Sequence, residues 1–371
     1  MLEYYNKETK TLIIPYTFNK KLKYFPEETK IIIFSENLDE DNFSCFNQSV
    51  DNLPKTLTHL TFGFYFNQSV DNLPKTLTHL TFGTKFNQPV NNLPENLTHL
   101  TFGFCFDQLV DNLPENLTHL TFGFDFNQPV DNLPENLTHL TFNWYFNQSV
   151  DKLPLSLTHL TFGFHFNQSV DKLPLSLTHL TFSHYFNKKV DKLSENLTHL
   201  TFGNCFNQTV DNLPKNLTHL TFGGLFNQSV DNLPTSLTHL KFRSKIDYSF
   251  NLLFKKLNNL THIKTLLCYN NDIEFFPEKL FYFNISNIEN KIIPKIAKEI
   301  KIHYDNNMIN NLPETVEKVI IDFNYYNKEI ITKINLPITI KEIVIENEFY
   351  KKFINIPFDT VVIIEKTDNF F

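Results

Sequence analysis

From residue 46 onward, one pattern of large apolar and polar residues returns every twenty positions. In the first unit the large apolar residues are Phe46, Val50, Leu53, Leu57, Leu60 and Phe62. The opening Phe recurs at Phe66, Phe86, Phe106, Phe126, Phe146, Phe166, Phe186, Phe206 and Phe226. Within a unit, Thr58-His59-Leu60-Thr61-Phe62 alternates strictly. That period of two predicts a strand with Leu60 and Phe62 inward and His59 and Thr61 outward. Pro54 argues against helix just before it, because the residue preceding a proline avoids the α region. The return segment, Phe46 to Thr56, is therefore predicted to be extended or a single 3-10 turn. Gly63 stands where the chain leaves the strand and is expected to serve a sharp turn. Asn143 and Ser183, which take its place in two units, are also turn-compatible.

Ten units in perfect register leave no room for insertions, so each is expected to stack on the last as a solenoid. The predicted fold is one long parallel β-sheet, its strands about 4.8 Å apart, with the short returns on the convex side. A single unit has too few apolar side chains to offset the entropy of ordering twenty residues, so stability belongs to the stack. Both ends continue the pattern in degenerate form. Leu12 and Ile14 stand like Leu60 and Phe62, Phe18-Asn19 like Phe66-Asn67, and Ile32 with Phe34 supply a further strand. Beyond the regular block, Leu266 with Cys268, Phe283 with Ile285, Ile300 with Ile302, Val319 with Ile321 and Ile343 with Ile345 are read as strand pairs. Several of these follow an apolar-Pro step, as at Phe276-Pro277, Ile293-Pro294, Leu312-Pro313 and Leu336-Pro337. The expected organisation is degenerate N-terminal repeats and a cap over 1–45, ten regular repeats over 46–245, and degenerate repeats with a C-terminal cap over 246–371.

Composition narrows the functional classes. Net charge is −7 with a pI near 6.1, and no basic stripe exists of the kind that neutralises nucleic-acid phosphates. The first residues, MLEYYNKETK, lack the charged and apolar regions of a signal peptide, and no apolar run is long enough to cross a bilayer. Cys45, Cys105 and Cys205 share one repeat position, units apart, so they are expected to be free thiols, as is Cys268. An intracellular, cytoplasmic and monomeric protein is the expectation, with neither nucleic acid nor membrane as partner.

Ile263, Leu266, Cys268, Asn271 and Ile273 follow the leucine-rich-repeat spacing L-x-x-L-x-L-x-x-N-x-L. The central units resemble the FNIP repeat, a relative of that family, through Phe86-Asn87-Gln88-Pro89-Val90 and Leu93-Pro94. Gln replaces the third residue of the name in most units, and Pro holds the fourth only at Pro89 and Pro129. The resemblance implies a protein-binding solenoid of a kind found in social amoebae and in the giant viruses that infect amoebae. For a viral member, the compartment would be the host cytoplasm. Many such proteins carry an F-box ahead of the repeats, but here residues 1–45 already read as repeat, which places a direct role in ubiquitination in doubt.

Four features compete as sites. A row of ten histidines, His59, His79 and so on to His239, lines the outward face beside a row of threonines ending in Lys241. Adjacent imidazoles could reach one metal ion, but no Cys or carboxylate joins them, so a stacked structural ladder is expected and no metal. An Asn row, Asn47 to Asn227 with Asp107 breaking it, is read as an internal ladder capping backbone groups at the turn rather than as glycosylation sequons. Asp51 and its equivalents recur as a solvated face. No phosphate-cradling glycine motif or singular polar cluster supports catalysis, and no cofactor is expected.

The regular units differ among themselves in the two residues after the turn glycine. Aromatic residues dominate that strip: Phe64, Tyr65, Phe104, Phe124, Trp144, Tyr145, Phe164 and Tyr185. Aromatics are enriched at interface hot spots, so these eight form the candidate partner-binding site; relaxed constraint at a turn, with one member of each pair tucked inward, is the competing reading. The expected function is a non-catalytic protein-interaction scaffold. Two alternatives stand beside it: a structural repeat protein without a dedicated partner, and a His-lined surface responsive to metal or pH.

Overall fold

The structure is a computed structural model that describes residues 4–36, 42–243, 256–265, 282–285, 298–303, 312, 314–322, 334–345, 351 and 354–364. The chain divides into two compact units, Met1–Leu197 and Thr198–Phe371. In the first, β1 (Tyr5–Asn6) pairs antiparallel with β2 (Thr11–Ile14), which is followed in parallel by β3 (Ile31–Phe34) and β4 (His59–Thr61). Strands β5 (His79–Thr81), β6 (His99–Thr101), β7 (His119–Thr121), β8 (His139–Thr141), β9 (His159–Thr161) and β10 (His179–Thr181) then add one per repeat. Register is fixed residue on residue, with Leu60 opposite Leu80 and His59 opposite His79. The alternating pattern enforces this, since a one-residue slip would turn every inward Leu toward solvent.

The second unit repeats the architecture. Its parallel strands are β11 (His199–Thr201), β12 (His219–Phe222), β13 (His239–Phe242), β14 (His262–Thr265), β15 (Tyr282–Ile285), β16 (Glu299–His303) and β17 (Lys318–Asp322), then β19 (Glu342–Ile345) and β21 (Val361–Ile364). Between the last of these, β18 (Ile334–Asn335) and β20 (Ile354–Asn355) pair in the return segments. Phe283 with Ile285, Ile300 with Ile302, Val319 with Ile321 and Ile343 with Ile345 all lie on strands as expected. The strand after β13 centres on Ile263, which registers with Leu240; the strand pair expected at Leu266 and Cys268 lies outside the described residues. Leu260-Thr261-His262-Ile263 repeats the motif Leu57-Thr58-His59-Leu60 after a three-residue insertion, so the local motif outweighs the leucine-rich spacing. Leu266, Cys268, Asn271, Ile273, Phe276-Pro277, Ile293-Pro294 and Pro313 lie outside the described residues.

Each regular turn buries the same six side chains. Phe46 and Leu57 are wholly inaccessible, and Val50, Leu53, Leu60 and Phe62 nearly so. Phe62 lies flat on Phe66 at 3.7 Å, and this pair recurs in every unit to Phe222 and Phe226. Such stacked pairs add about 0.5–1.5 kcal/mol beyond the area they bury. The return is extended with β-turns rather than 3-10 helix: Leu57 N–H donates to the Pro54 carbonyl at 3.1 Å, and Phe66 N–H to that of Gly63 at 3.3 Å.

The glycine after the strand has a different reason from the one expected. No glycine among the described residues has a positive φ. Instead, a Cβ on Gly103 or Gly123 would overlap the carbonyl of the glycine one unit before it. At these glycines the backbones meet too closely for a side chain to enter without a shift, so the constraint there is proximity and not turn conformation.

The spacing of the ring ladders gives the direction of bending. In the first unit the His rings step by 4.2–4.3 Å and the Phe46-row rings by 6.1 Å. In the second the corresponding steps are 4.1 and 6.1 Å. Strands themselves step by about 4.8 Å. Each unit therefore curves toward its His face, which is concave, and carries its returns on the convex side.

Candidate functional site

The two residues after the glycine sit on a backbone ladder of their own. Lys85 N–H donates to the Phe64 carbonyl at 2.8 Å, Cys105 to Thr84 at 2.9 Å, Tyr145 to Phe124 at 3.0 Å and Tyr185 to Phe164 at 3.1 Å. This ladder fixes the first residue of each pair directly above its counterpart, so flat rings in consecutive units must stack. Phe104 lies on Phe124 at 4.2 Å, Phe124 on Trp144 at 4.9 Å, Trp144 on Phe164 at 4.0 Å with planes 1° apart, and Phe164 on His184 at 4.5 Å. A second column runs beside it from Tyr145 through His165 to Tyr185, with steps of 5.3 and 5.2 Å.

Exposure varies within the pairs. Phe124, Trp144 and Phe164 are half-buried, their faces covered by one another, whereas Phe104 (45%), Tyr145 (47%) and Tyr185 (44%) are exposed. Six of the eight candidates come together in this way. Phe64 and Tyr65 do not: Phe64 packs on Phe43 at 4.4 Å, and Thr84-Lys85 separates it from the Phe104 column. The imidazoles of His165 and His184, absent from the candidate set, complete both columns. Their positions in the variable pairs signalled this, but only if imidazole is counted as a flat ring.

The concave face is built by a second repeated device. Thr78 Oγ1 donates to the Thr58 carbonyl at 3.1 Å and lies 2.9 Å from His79 Nδ1. A hydroxyl has one proton to give, so its oxygen is left to accept, which assigns the neutral imidazole's proton to Nδ1. Nε2 is left as an acceptor. The same arrangement recurs to Thr238 with His239 and Thr261 with His262. His262, at the insertion, is an eleventh member that sequence reading passed over. Near-parallel rings aim their Nε2 lone pairs in one direction, so neighbours do not converge on one ion. Partial burial, and then repulsion from neighbouring imidazoles, lowers the pKa of His59, His79, His119, His139, His239 and His262 below the usual value.

The Asn row behaves as read. Asn47 Oδ1 accepts the Asn67 N–H at 2.9 Å and the Gln68 side-chain amide at 2.9 Å, and Asp107 plays the same part for Asn127 and Gln128. Asp51 is exposed and accepts from Asn72 at 3.0 Å. Cys45, Cys105 and Cys205 are free thiols, and Cys268 lies outside the described residues. Among the described residues no three His, Cys, Asp or Glu side chains are placed to share a metal ion. Among them, too, no helix is long and apolar enough to cross a membrane.

A family model described as FNIP Repeat matches seven times, at 46–85, 66–105, 86–125, 126–165, 146–185, 186–223 and 206–245, together more than half of the chain. Among solved structures, the giant-virus protein CroV588, described as a novel circular leucine-rich-repeat protein, is 34% identical with a TM-score of 0.66. The alignment covers 94% of this chain but 61% of that one, so the chain spans less than two thirds of its length. YopM from Yersinia enterocolitica is 17% identical with a TM-score of 0.45, over 97% of this chain and 92% of that one. An internalin from Listeria monocytogenes is 19% identical with a TM-score of 0.47, over 70% of this chain and 80% of that one. No curated protein sequence matches the chain.

Proposed function

The chain belongs to the FNIP-repeat family, and from that premise we propose that it is a non-catalytic, intracellular protein-binding scaffold whose partner docks on the aromatic strip. Repeat solenoids of the leucine-rich type are typical interaction scaffolds, because stacking repeats creates an extended surface without requiring any single conserved pocket. In this scheme residues 1–45 and 246–371 are flanking degenerate repeats and caps, and 46–245 present the surface. The antiparallel β1 at the start of the sheet supports the capping role.

The observation that carries the proposal is the pair of aromatic columns at the positions where otherwise uniform units differ. A partner meets ring edges and the exposed Tyr145 and Tyr185, while the stacked faces of Trp144 and Phe164 hold those edges rigid. Rigid aromatics order at little entropic cost on binding, which suits them as anchors.

The test replaces Trp144 and Tyr145 by the Thr-Lys pair of Thr84-Lys85. That pair already keeps the same backbone ladder in this scaffold, with Lys85 N–H on Phe64 and Cys105 N–H on Thr84. Circular dichroism should show an unchanged fold, and the proteins co-purified with wild type from native cells should be lost. An identical set of partners on the folded variant would exclude the strip and shift attention to the His–Thr face.

A further inference from the structure

The first column of rings is interrupted once. Phe64, Thr84, Phe104, Phe124, Trp144 and Phe164 hold one repeat position in consecutive turns. Among the described residues, Thr84 is the one member of this row that lacks a flat ring while having one on each side. The backbone beneath it is unbroken, since Lys85 N–H donates to the Phe64 carbonyl at 2.8 Å and Cys105 N–H to that of Thr84 at 2.9 Å. What is missing is a side chain and not a turn. Exposure records the gap. Phe124, Trp144 and Phe164 have a ring on each face and are half-buried, whereas Phe104, stacked on Phe124 alone, is 45% exposed.

Two turns separate Phe64 from Phe104, roughly 9.6 Å at the usual strand spacing. A ring entering midway would lie about 4.8 Å from each neighbour, a distance at which aromatic rings pair. The column's own rungs sit 4.0–4.9 Å apart. The Thr84 side chain is too short to fill that space. Beside the gap stands Lys85, exposed, with its ammonium 5.8 Å from the centre of the Phe64 ring. An entering guanidinium would be repelled by that charge, whereas a carboxylate next to an entering ring would be attracted. We propose that the gap over Thr84 is a slot for one aromatic side chain of a partner, flanked in the partner by an acidic residue that meets Lys85. This rests on the strip being the docking surface, and it specifies what the partner brings, namely the missing rung.

The probe is the capped dipeptide tryptophanyl-glutamate, titrated into the full chain and followed by NMR. Ring protons of Phe64 and Phe104, facing the indole from either side, should move upfield and saturate. Leucyl-glutamate, which has no ring, should bind about tenfold more weakly, and tryptophanyl-glutamine, which has no charge, about threefold more weakly. Lys85→Gln should erase the difference between the two tryptophanyl probes. Thr84→Phe supplies the rung from within. Phe already follows Gly63, Gly103, Gly123 and Gly163 at the same position, so the fold should be kept and the probe-induced shifts abolished. Thr84→Ala leaves the gap open and should bind as wild type does. Probe-induced shifts that persist in folded Thr84→Phe, or leucyl-glutamate binding as well as the indole probe, would overturn the slot. A charge preference that survives Lys85→Gln would overturn the acidic flank. Proteins that co-purify with wild type should be lost from Thr84→Phe, and their retention by a chain that no longer takes the probe would overturn a partner's ring as the occupant. Trp144→Thr with Tyr145→Lys leaves Phe64, Thr84, Lys85 and Phe104 in place. Partners retained by that variant would count against the strip as docking surface, while the probe still reports on the slot.

Discussion

A residue in this molecule is constrained by its own copies above and below it, and the Asn row shows what that demands. Each side chain must present an acceptor to the N–H one unit on, and Asp107 meets the requirement as well as Asn does. Asn87→Asp should therefore be nearly neutral in a urea melt. Asn87→Ala strands the Asp107 N–H, which lies 3.0 Å from Asn87 Oδ1, and should cost about 1–3 kcal/mol. The histidines answer a different demand. With folded-state pKa values lowered below an unfolded value of about 6.5, the unfolded chain binds more protons just below that pH. The stabilising difference is thus complete above about pH 6.5 and is lost as pH falls through the folded values. Replacing His79, His119 and His139 by Gln should flatten the decline in melting temperature between about pH 6.5 and 5. A slope equal to that of wild type would mean that neither burial nor the neighbouring imidazoles lower the titration of these rings. Solvent around these half-exposed rings limits the size of the effect.

Elements were legible in proportion to how much of their burial is written as alternation. Thr58 to Phe62 announced a strand with two inward residues, and that is what forms, because a sheet side has no other way to bury Leu60 and Phe62. The return was legible only as non-helical: Pro54 argued against a helix but did not distinguish a 3-10 turn from the β-turn closed by Leu57. Gly63 was noticed for the wrong reason. The sequence of one unit shows what a glycine allows its own backbone, whereas the operative contact is with Ser44 at Gly63 and with a carbonyl of the preceding unit at Gly83 and Gly103. The aromatic site was legible as a set of positions and not as a geometry. Which ring of a pair is covered depends on the ladder from Phe64 through Tyr185, and that ladder runs through residues whose identities vary. Ile263 on β14 was legible from the local Leu260-Thr261-His262 motif, which the generic leucine-rich spacing did not single out.

At the scale of the whole molecule, stability is shared among neighbouring turns, and deletions should respect the turn as the unit. Removing residues 126–145 joins Asp125 to Phe146 in the same phase, so the first unit should remain folded with a modestly lower midpoint. Removing only 126–135 puts return residues where β8 should be, and cooperative unfolding should be lost. Calorimetry of the two deletions distinguishes them, and comparable damage from both would contradict stacking in twenty-residue turns. The residue-on-residue register of β4 to β10 has a further consequence, for the route by which the chain folds. Leu153 to Phe162 and Leu173 to Phe182 are the same ten residues, so a growing stack cannot tell one from the other by contact. A turn that docks one place too far along meets correct partners and leaves twenty residues looped out, and the entropy of closing such a loop grows only slowly with its length. What separates the correct order from the skipped one is mainly the burial forgone by the missing turn. Correct folding therefore favours propagation from an existing edge to the next turn in sequence, and refolding from high dilution of structure would pass through skipped-turn traps that must open before they can be repaired.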